Sequence, residues 1–157
     1  EKRAISPWQM AWENGCYYLI AYQDEKEPVG IRHYRVDRMA GITVLDEPRR
    51  GKEQFAGFDL PAYLKKHFNM YGGDEYRVTL RCTADLEPAM RERFGSGPIF
   101  LPEGEEHFHF DVPICVSDQF YGWVCGFGGK VEITAPAKVR EGLREMTARI
   151  AAAHSGT

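Results

Sequence analysis

The sequence predicts an α+β chain in two parts: a small N-terminal β-barrel with a short helix, then a βαββαβ module closed by a C-terminal helix. Three observations carry this. The first 50 residues are crowded with aromatic and β-branched runs separated by turn residues. Tyr71-Gly72-Gly73-Asp74 then breaks the pattern. Beyond that break, strand and helix periodicities alternate in the order β, α, β, β, α, β, with one more helix at the end.

Taken in order, the β signals of the first part are residues 4–13 with Trp8 and Trp12, residues 17–23, and residues 31–45 with an interruption near Ala40-Gly41. Asn14-Gly15 joins the first two, a dipeptide that readily takes the positive φ angles of a tight hairpin turn. The bridge from Gln23 to Gly30, acidic and carrying Pro28, has the content of a hairpin loop. Several short twisted strands with such turns favour a barrel, because closure removes exposed edges. Residues 47–57 form a polar loop with Pro48, Arg49, Arg50 and Gly51. A short helix follows to about Phe68, with Asp59 as its N-cap and Pro61 in its first turn.

In the second part the strands are residues 76–82, 99–102, 107–116 and 130–134, and the helices are residues 85–94, 118–126 and 136–153. Tyr76, Val78, Leu80 and Cys82 alternate with Arg77, Thr79 and Arg81, which implies one buried and one wet face. Two helices on one face of a four-stranded antiparallel sheet satisfy that pattern, as in ferredoxin-like folds. The final helix places Val139, Leu143, Met146 and Ile150 on one stripe. The expected domains are residues 1–70 and 75–157.

Composition narrows the function. A hydrophobic content of 43% supports a real core, so the chain is folded and not disordered. A formal charge of -3 argues against a protein that coats nucleic acid, so any anion site is local. No stretch approaches the ~20 apolar residues of a membrane span, and the N-terminus lacks a secretory profile. A soluble, cytoplasmic protein with no membrane partner is expected. The cysteines at 16, 82, 115 and 125 sit in apolar patterns without a Cys-x-x-Cys pair, as reduced core cysteines do. The chain opens on Glu1-Lys2-Arg3 without a start methionine, as an excised piece of a longer protein does.

The order of several motifs resembles the WYL-domain family with its C-terminal extension. The resemblance runs through Ile5-Ser6-Pro7, Asn14-Gly15, Tyr17-Tyr18-Leu19, Arg32-x-Tyr34-x-Val36-Asp37-Arg38-Met39 and Phe58-Asp59-Leu60. It continues through Val116-Ser117, Trp123-Val124-x-Gly126-Phe127-Gly128, Val131-Glu132-Ile133 and Pro136. The name-giving tryptophan is Tyr17 here, a change that keeps a large aromatic. This resemblance implies an Sm-like or SH3-like barrel that senses an effector, with nucleic acids or nucleotides as effectors in some members. It also implies attachment to an N-terminal helix-turn-helix module, which residues 1–157 do not contain. The expected partners are therefore an anionic effector, DNA through that missing module, and a second copy in a homodimer.

The candidate ligand-binding residues are Ser6, Tyr18, Arg32, His33, Arg35 and Arg38. A guanidinium presents a fork of donors that matches phosphate oxygens, and a tyrosine adds a π-face and a hydroxyl. Together they suit a nucleotide or single-strand clamp. On the residues alone, the plainer reading is of solvated strand arginines paired with Asp37, Glu13 and Asp24. The resemblance turns the balance for Tyr18, Arg32 and Arg38; Ser6, His33 and Arg35 stand beside them as further candidates. Alternation puts Arg32, Tyr34, Val36 and Arg38 on one face and His33, Arg35 and Asp37 on the other, while strand register is not readable. The resemblance makes Tyr17 and Leu19 core and turns Tyr18 to a pocket.

Other motifs carry less. His107 and His109 point the same way in a strand and raise a metal-dependent hydrolase, but the alternating Phe108 and Phe110 read as core and zinc needs a third ligand. Glu103, Glu105 and Glu106 read as a solvated turn. Gly126-Phe127-Gly128-Gly129 lies between helix and strand, the reverse of a phosphate cradle. No nucleophile elbow or His-Glu-x-x-His motif is present, so neither enzymatic activity nor a cofactor is expected. The rival reading is an assembly module in which Trp8, Trp12, Phe120, Tyr121 and Trp123 form a protein-protein surface.

Overall fold

The computed structural model describes residues 2–25 and 27–156. Glu1 of the opening tripeptide, Lys26 of the expected hairpin loop and Thr157 lie outside them. The chain is mixed α+β and divides into two compact units, Glu1–Leu64 and Lys65–Thr157.

The first unit is built on three antiparallel strands in the order β1-β2-β3: β1 Ser6–Glu13, β2 Cys16–Gln23 and β3 Gly30–Arg35. Asn14 (φ 47°) and Gly15 (φ 75°) make the β1-β2 turn with the positive angles their chemistry permits. The third β signal stops at Arg35, where Val36–Arg38 coils into a 3-10 turn closed by the Met39 N–H donating to the Val36 carbonyl at 3.1 Å. Residues 39–50 contribute no strand, and Ile42, Val44 and Leu45 are exposed. Among the described residues β1 and β3 do not pair with each other, so the three-stranded sheet has two free edges. After a 3-10 turn at Glu53–Phe55, helix α1 spans Leu60–Lys66. The Asp59 carboxylate accepts from the Ala62 N–H at 3.0 Å, the expected N-cap.

The second unit carries four antiparallel strands in the order β5-β6-β4-β7: β4 Glu75–Thr83, β5 Leu101–Glu103, β6 His107–Cys115 and β7 Val131–Ala135. Its helices are α2 Glu87–Phe94, α3 Asp118–Cys125 and α4 Ala137–His154. Period-2 alternation sends Val78, Leu80 and Cys82 of β4, and Phe108, Phe110, Val112 and Ile114 of β6, into one core. Met90 and Phe94 from α2, Phe120 and Val124 from α3, and Val139 from α4 close it. The Ser117 hydroxyl caps α3 by accepting from the Phe120 N–H at 3.4 Å.

Three expectations change here. Phe120 and Tyr121 are buried core residues and Trp123 packs half-buried against Phe68 and Phe94, so none of them forms the surface of the assembly reading. Cys82 and Cys115 are buried, but Cys125 is exposed on α3. Glu103 belongs to β5 and pairs with Arg81 at 3.0 Å, because β4 and β5 both flank β6. The histidines of β6 face away from the core while Phe108 and Phe110 face into it. His109 Nδ1 lies 3.8 Å from Glu103, and no cluster of three or more metal-ligating side chains exists among the described residues.

Candidate functional site

Register decides which candidates meet. In the antiparallel β2-β3 pair, Tyr18 opposes Arg35 and Ile20 opposes His33, so these four share one face. Arg32 opposes Ala21 and Tyr34 opposes Leu19 on the other face. Ile20 and Ala21 are both 0% exposed, which makes the centre of β2 covered on both sides.

The Tyr18 face is roofed by aromatic rings that the returning chain brings back. Trp8 stacks on Phe55 at 5.3 Å, Phe55 meets Phe58 at 5.0 Å, Phe58 meets Tyr63 at 4.8 Å, and Tyr63 stands edge-on to His33 at 5.6 Å. His33 Nε2 and the Tyr63 hydroxyl share a hydrogen bond of 2.7 Å. Tyr63 comes from α1, so the Asp59 cap fixes where that hydroxyl falls.

Arg35 reaches from the end of β3 to Asp37 in a two-point fork, Nε to Oδ1 at 3.1 Å and Nη2 to Oδ2 at 2.7 Å. That hydrogen bonding raises the Arg35 pKa, with Asp37, Cys16 and Tyr18 adding electrostatic support, and it holds Asp37 below the usual carboxylate range. Both partners remain accessible to solvent, at 28% and 58% side-chain exposure. This is the pairing with Asp37 that the plainer reading of the sequence named.

The remaining candidates go elsewhere. Arg32 donates to the carbonyls of Ile31 and Pro28, which ties its guanidinium to the β2-β3 connection on the face opposite Arg35. Arg38 sits exposed in the 3-10 turn beside Asp37, since the strand ends before it and alternation no longer applies. Ser6 lies opposite Tyr22, four residues and about 13 Å along β2 from Tyr18. Its hydroxyl accepts from the Arg50 N–H at 2.9 Å. Tyr17 is exposed and meets Trp12 edge-on at 4.6 Å, so the core role expected for it is corrected: it stands on the outer face with Met10 and Trp12.

Sequence reasoning placed Trp8 only in the rival assembly surface, read Arg49 and Arg50 as a polar loop, and gave Tyr63 no role. A register shift between Pro7 and Gln9 takes Trp8 out of simple alternation. Its Nε1 donates to the Arg50 carbonyl at 2.8 Å, and the Arg49 guanidinium lies 4.2 Å from its ring centroid. Arg50 donates to Asp24 at 3.1 Å and Glu47 at 3.3 Å, and the Asp24 bond chiefly raises its pKa. Gly51, at φ 79°, fits against the Tyr22 ring where any side chain would collide. The one signal in the sequence was the adjacency of two arginines to a glycine in residues 47–57.

The assembled site is thus Tyr18, Arg35 and His33 with Tyr63. It offers a phenol, a guanidinium, an imidazole and a second hydroxyl at one end of one sheet face, chemistry for holding an anion and a flat ring.

The WYL domain family model matches residues 1–44 and the WCX domain family model matches residues 74–151. The chain belongs to the WYL-domain family, with a WYL domain followed by a WCX domain. Among solved structures it is similar to proteasome accessory factor B/C (PafBC) of Arthrobacter aurescens, at 21% identity and a TM-score of 0.47, over 98% of this chain and 23% of that one. It is also similar to a CRISPR Cas-related protein, at 18% identity and a TM-score of 0.49, over 94% of this chain and 42% of that one. The chain therefore spans less than half the length of either. No curated protein matches it. Among the described residues no helix is long and apolar enough to cross a membrane.

Proposed function

We propose that this chain is the effector-sensing and dimerisation region of a cytoplasmic helix-turn-helix transcription regulator, with no enzymatic activity or cofactor of its own. Its effector is a nucleotide or single-stranded nucleic acid. In this reading residues 1–70 are an Sm-like barrel to which β1-β2-β3 belong, and residues 75–157 are a ferredoxin-like extension. The strand order β5-β6-β4-β7 with α2 and α3 between strands supports the second assignment. Effector binding alters how two copies pack, and so how the DNA-reading modules are presented.

The observation that carries the reading is the cross-strand pair Tyr18-Arg35 with the Arg35 fork already turned on an anion, Asp37. A phosphate takes the same two-point geometry as a carboxylate. An exposed pair contributes little to stability, so a multiply charged effector can displace Asp37 at small cost. Tyr18 then supplies a stacking face beside the phosphate, where a base can contribute ~1–3 kcal/mol.

Fluorescence anisotropy with short labelled single-stranded DNA tests this. Arg35→Ala weakens binding about tenfold or more. Asp37→Asn strengthens it, because the fork is no longer occupied. If Arg32→Ala abolishes binding while Arg35→Ala leaves it unchanged, the effector lies on the opposite face and the reading of this site fails.

One observation favours the rival of a pure assembly module. Met10, Trp12 and Tyr17 are 58%, 59% and 53% exposed on the outer face of the first sheet. Sedimentation velocity across a concentration series, with and without oligonucleotide, separates the two. A dimer whose stability no nucleotide shifts favours assembly; a ligand-raised melting temperature favours sensing.

A further inference from the structure

A groove of about 470 Å³ opens in the second unit where α4 passes the start of β4 and the chain leaving β6. That volume lies within the range of small-molecule sites. Its floor contains Tyr121, which is only 8% exposed yet lines the groove. The Tyr121 hydroxyl forms no hydrogen bond among the described residues. No polar side-chain atom among them is sealed away without a partner, so this hydroxyl reaches the open groove. The helix above it makes room: a side chain at Gly142 would run into the Tyr121 hydroxyl. The phenol ring is thus buried while its hydroxyl is the part presented to the cavity.

The rim states the charge of the missing partner. The lining carries Asp74, Glu141 and Glu145 against Lys138, and Glu141 also pairs with Arg144 at 3.6 Å, which leaves the rim acidic by one charge. Lys138 Nζ lies 5.3 Å from the centroid of the Tyr76 ring, so an ammonium is already accommodated against that ring. The carboxylates do not converge closely enough to hold a metal ion. Acceptor oxygens, an aromatic face and a half-open apolar floor together suit an organic cation.

We propose that this groove binds a small organic cation carrying a primary ammonium or guanidinium group, whose N–H groups donate to the Tyr121 hydroxyl oxygen and to the rim carboxylates. Burial raises the Tyr121 pKa, which keeps the phenol neutral and its oxygen available as an acceptor. The site lies in a different unit from the Tyr18-Arg35 pair and takes the opposite charge, so either can fail without the other.

Isothermal titration of the whole chain with agmatine and with putrescine tests the proposal. Saturable binding is expected for at least one of them. Tyr121→Phe, which removes only the hydroxyl, weakens it about tenfold. Glu145→Gln, on the exposed rim, weakens it several-fold, and Glu92→Gln on α2 leaves it unchanged. Circular dichroism of each variant separates loss of the site from loss of fold. Absence of saturable binding at millimolar concentration overturns the proposal. So does equal affinity in the parent and Tyr121→Phe, or displacement of bound agmatine by adenosine monophosphate.

Discussion

The Cys82 thiol, fully buried on β4, is pushed up to about 12 by desolvation, and burial also raises Cys115. A thiolate is the reactive form, so these two are inert in the folded chain. Cys125 on α3 is exposed. Iodoacetamide at mildly alkaline pH, followed by peptide mapping, is expected to mark Cys125 first, Cys16 more slowly, and Cys82 and Cys115 only after denaturant is added. Early alkylation of Cys82 would contradict the core described for β4. Asp111 carries the opposite shift: the Thr79 hydroxyl donates to it at 2.7 Å and Arg77 Nε at 3.2 Å, lowering its pKa. A carboxyl with a folded pKa below its unfolded value stabilises fully above the ordinary range of about 4, and that contribution disappears as pH falls through the folded value. Urea midpoints between about pH 7 and about pH 3 are expected to fall less steeply in Asp111→Asn than in the parent. At this scale the site was half legible. Tyr and Arg types in β2 and β3 are plain in the sequence, but whether Arg32 or Arg35 joins Tyr18 depends on a register that no local pattern encodes. Tyr63 meets His33 only through a helix thirty residues away, beyond any local signal.

Among the elements, those of the second unit were the most legible, because β4 and β6 alternate strictly and one face of each is buried. The Asn14-Gly15 turn and the caps at Asp59 and Ser117 follow from side-chain chemistry acting over two or three residues. The run Ile42 to Leu45 shows the limit of such reasoning. Its β-branched residues favour a strand, but propensity takes effect through cross-strand neighbours, and none is present among the described residues. The Ser117 cap yields a measurable consequence. Its bond to the Phe120 N–H is long, at 3.4 Å, which places the contribution at the low end for such caps. Ser117→Ala is expected to cost ~0.5–1 kcal/mol, read as a lower urea midpoint with an unchanged slope. A loss well beyond that range would mean the hydroxyl does more than cap α3.

The two units of the molecule differ in how much apolar surface they bury. Among the described residues of the first, the buried apolar ones are Ala11, Ile20 and Ala21, two of them alanines. In the second, a continuous cluster runs from Phe68 through Leu80, Phe94, Phe110, Ile114 and Phe120 to Val139. Burial is the dominant favourable term in folding and scales with apolar area, so a sheet centred on one isoleucine holds less stability than one packed with phenylalanines. The first unit relies more on polar ties, such as Ser6 to Arg50 and Trp8 to Arg50, which contribute modestly because water competes for the same groups. Residues 40–49 carry no backbone-to-backbone hydrogen bond among the described residues, which leaves that stretch open to local unfolding. The expectation is therefore a hierarchy: amides of β1 to β3 exchange with solvent well before those of β4 and β6. Limited proteolysis makes its first cuts within residues 39–57 and leaves residues 65–156 as a resistant fragment. Hydrogen exchange read by mass spectrometry resolves the two sets of strands directly. Equal protection of Ile20 and Leu80, with a single cooperative loss of both, would show that the sparse core of the first sheet is no weak point, and that the polar ties around Arg50 stabilise it far more than their exposed geometry indicates.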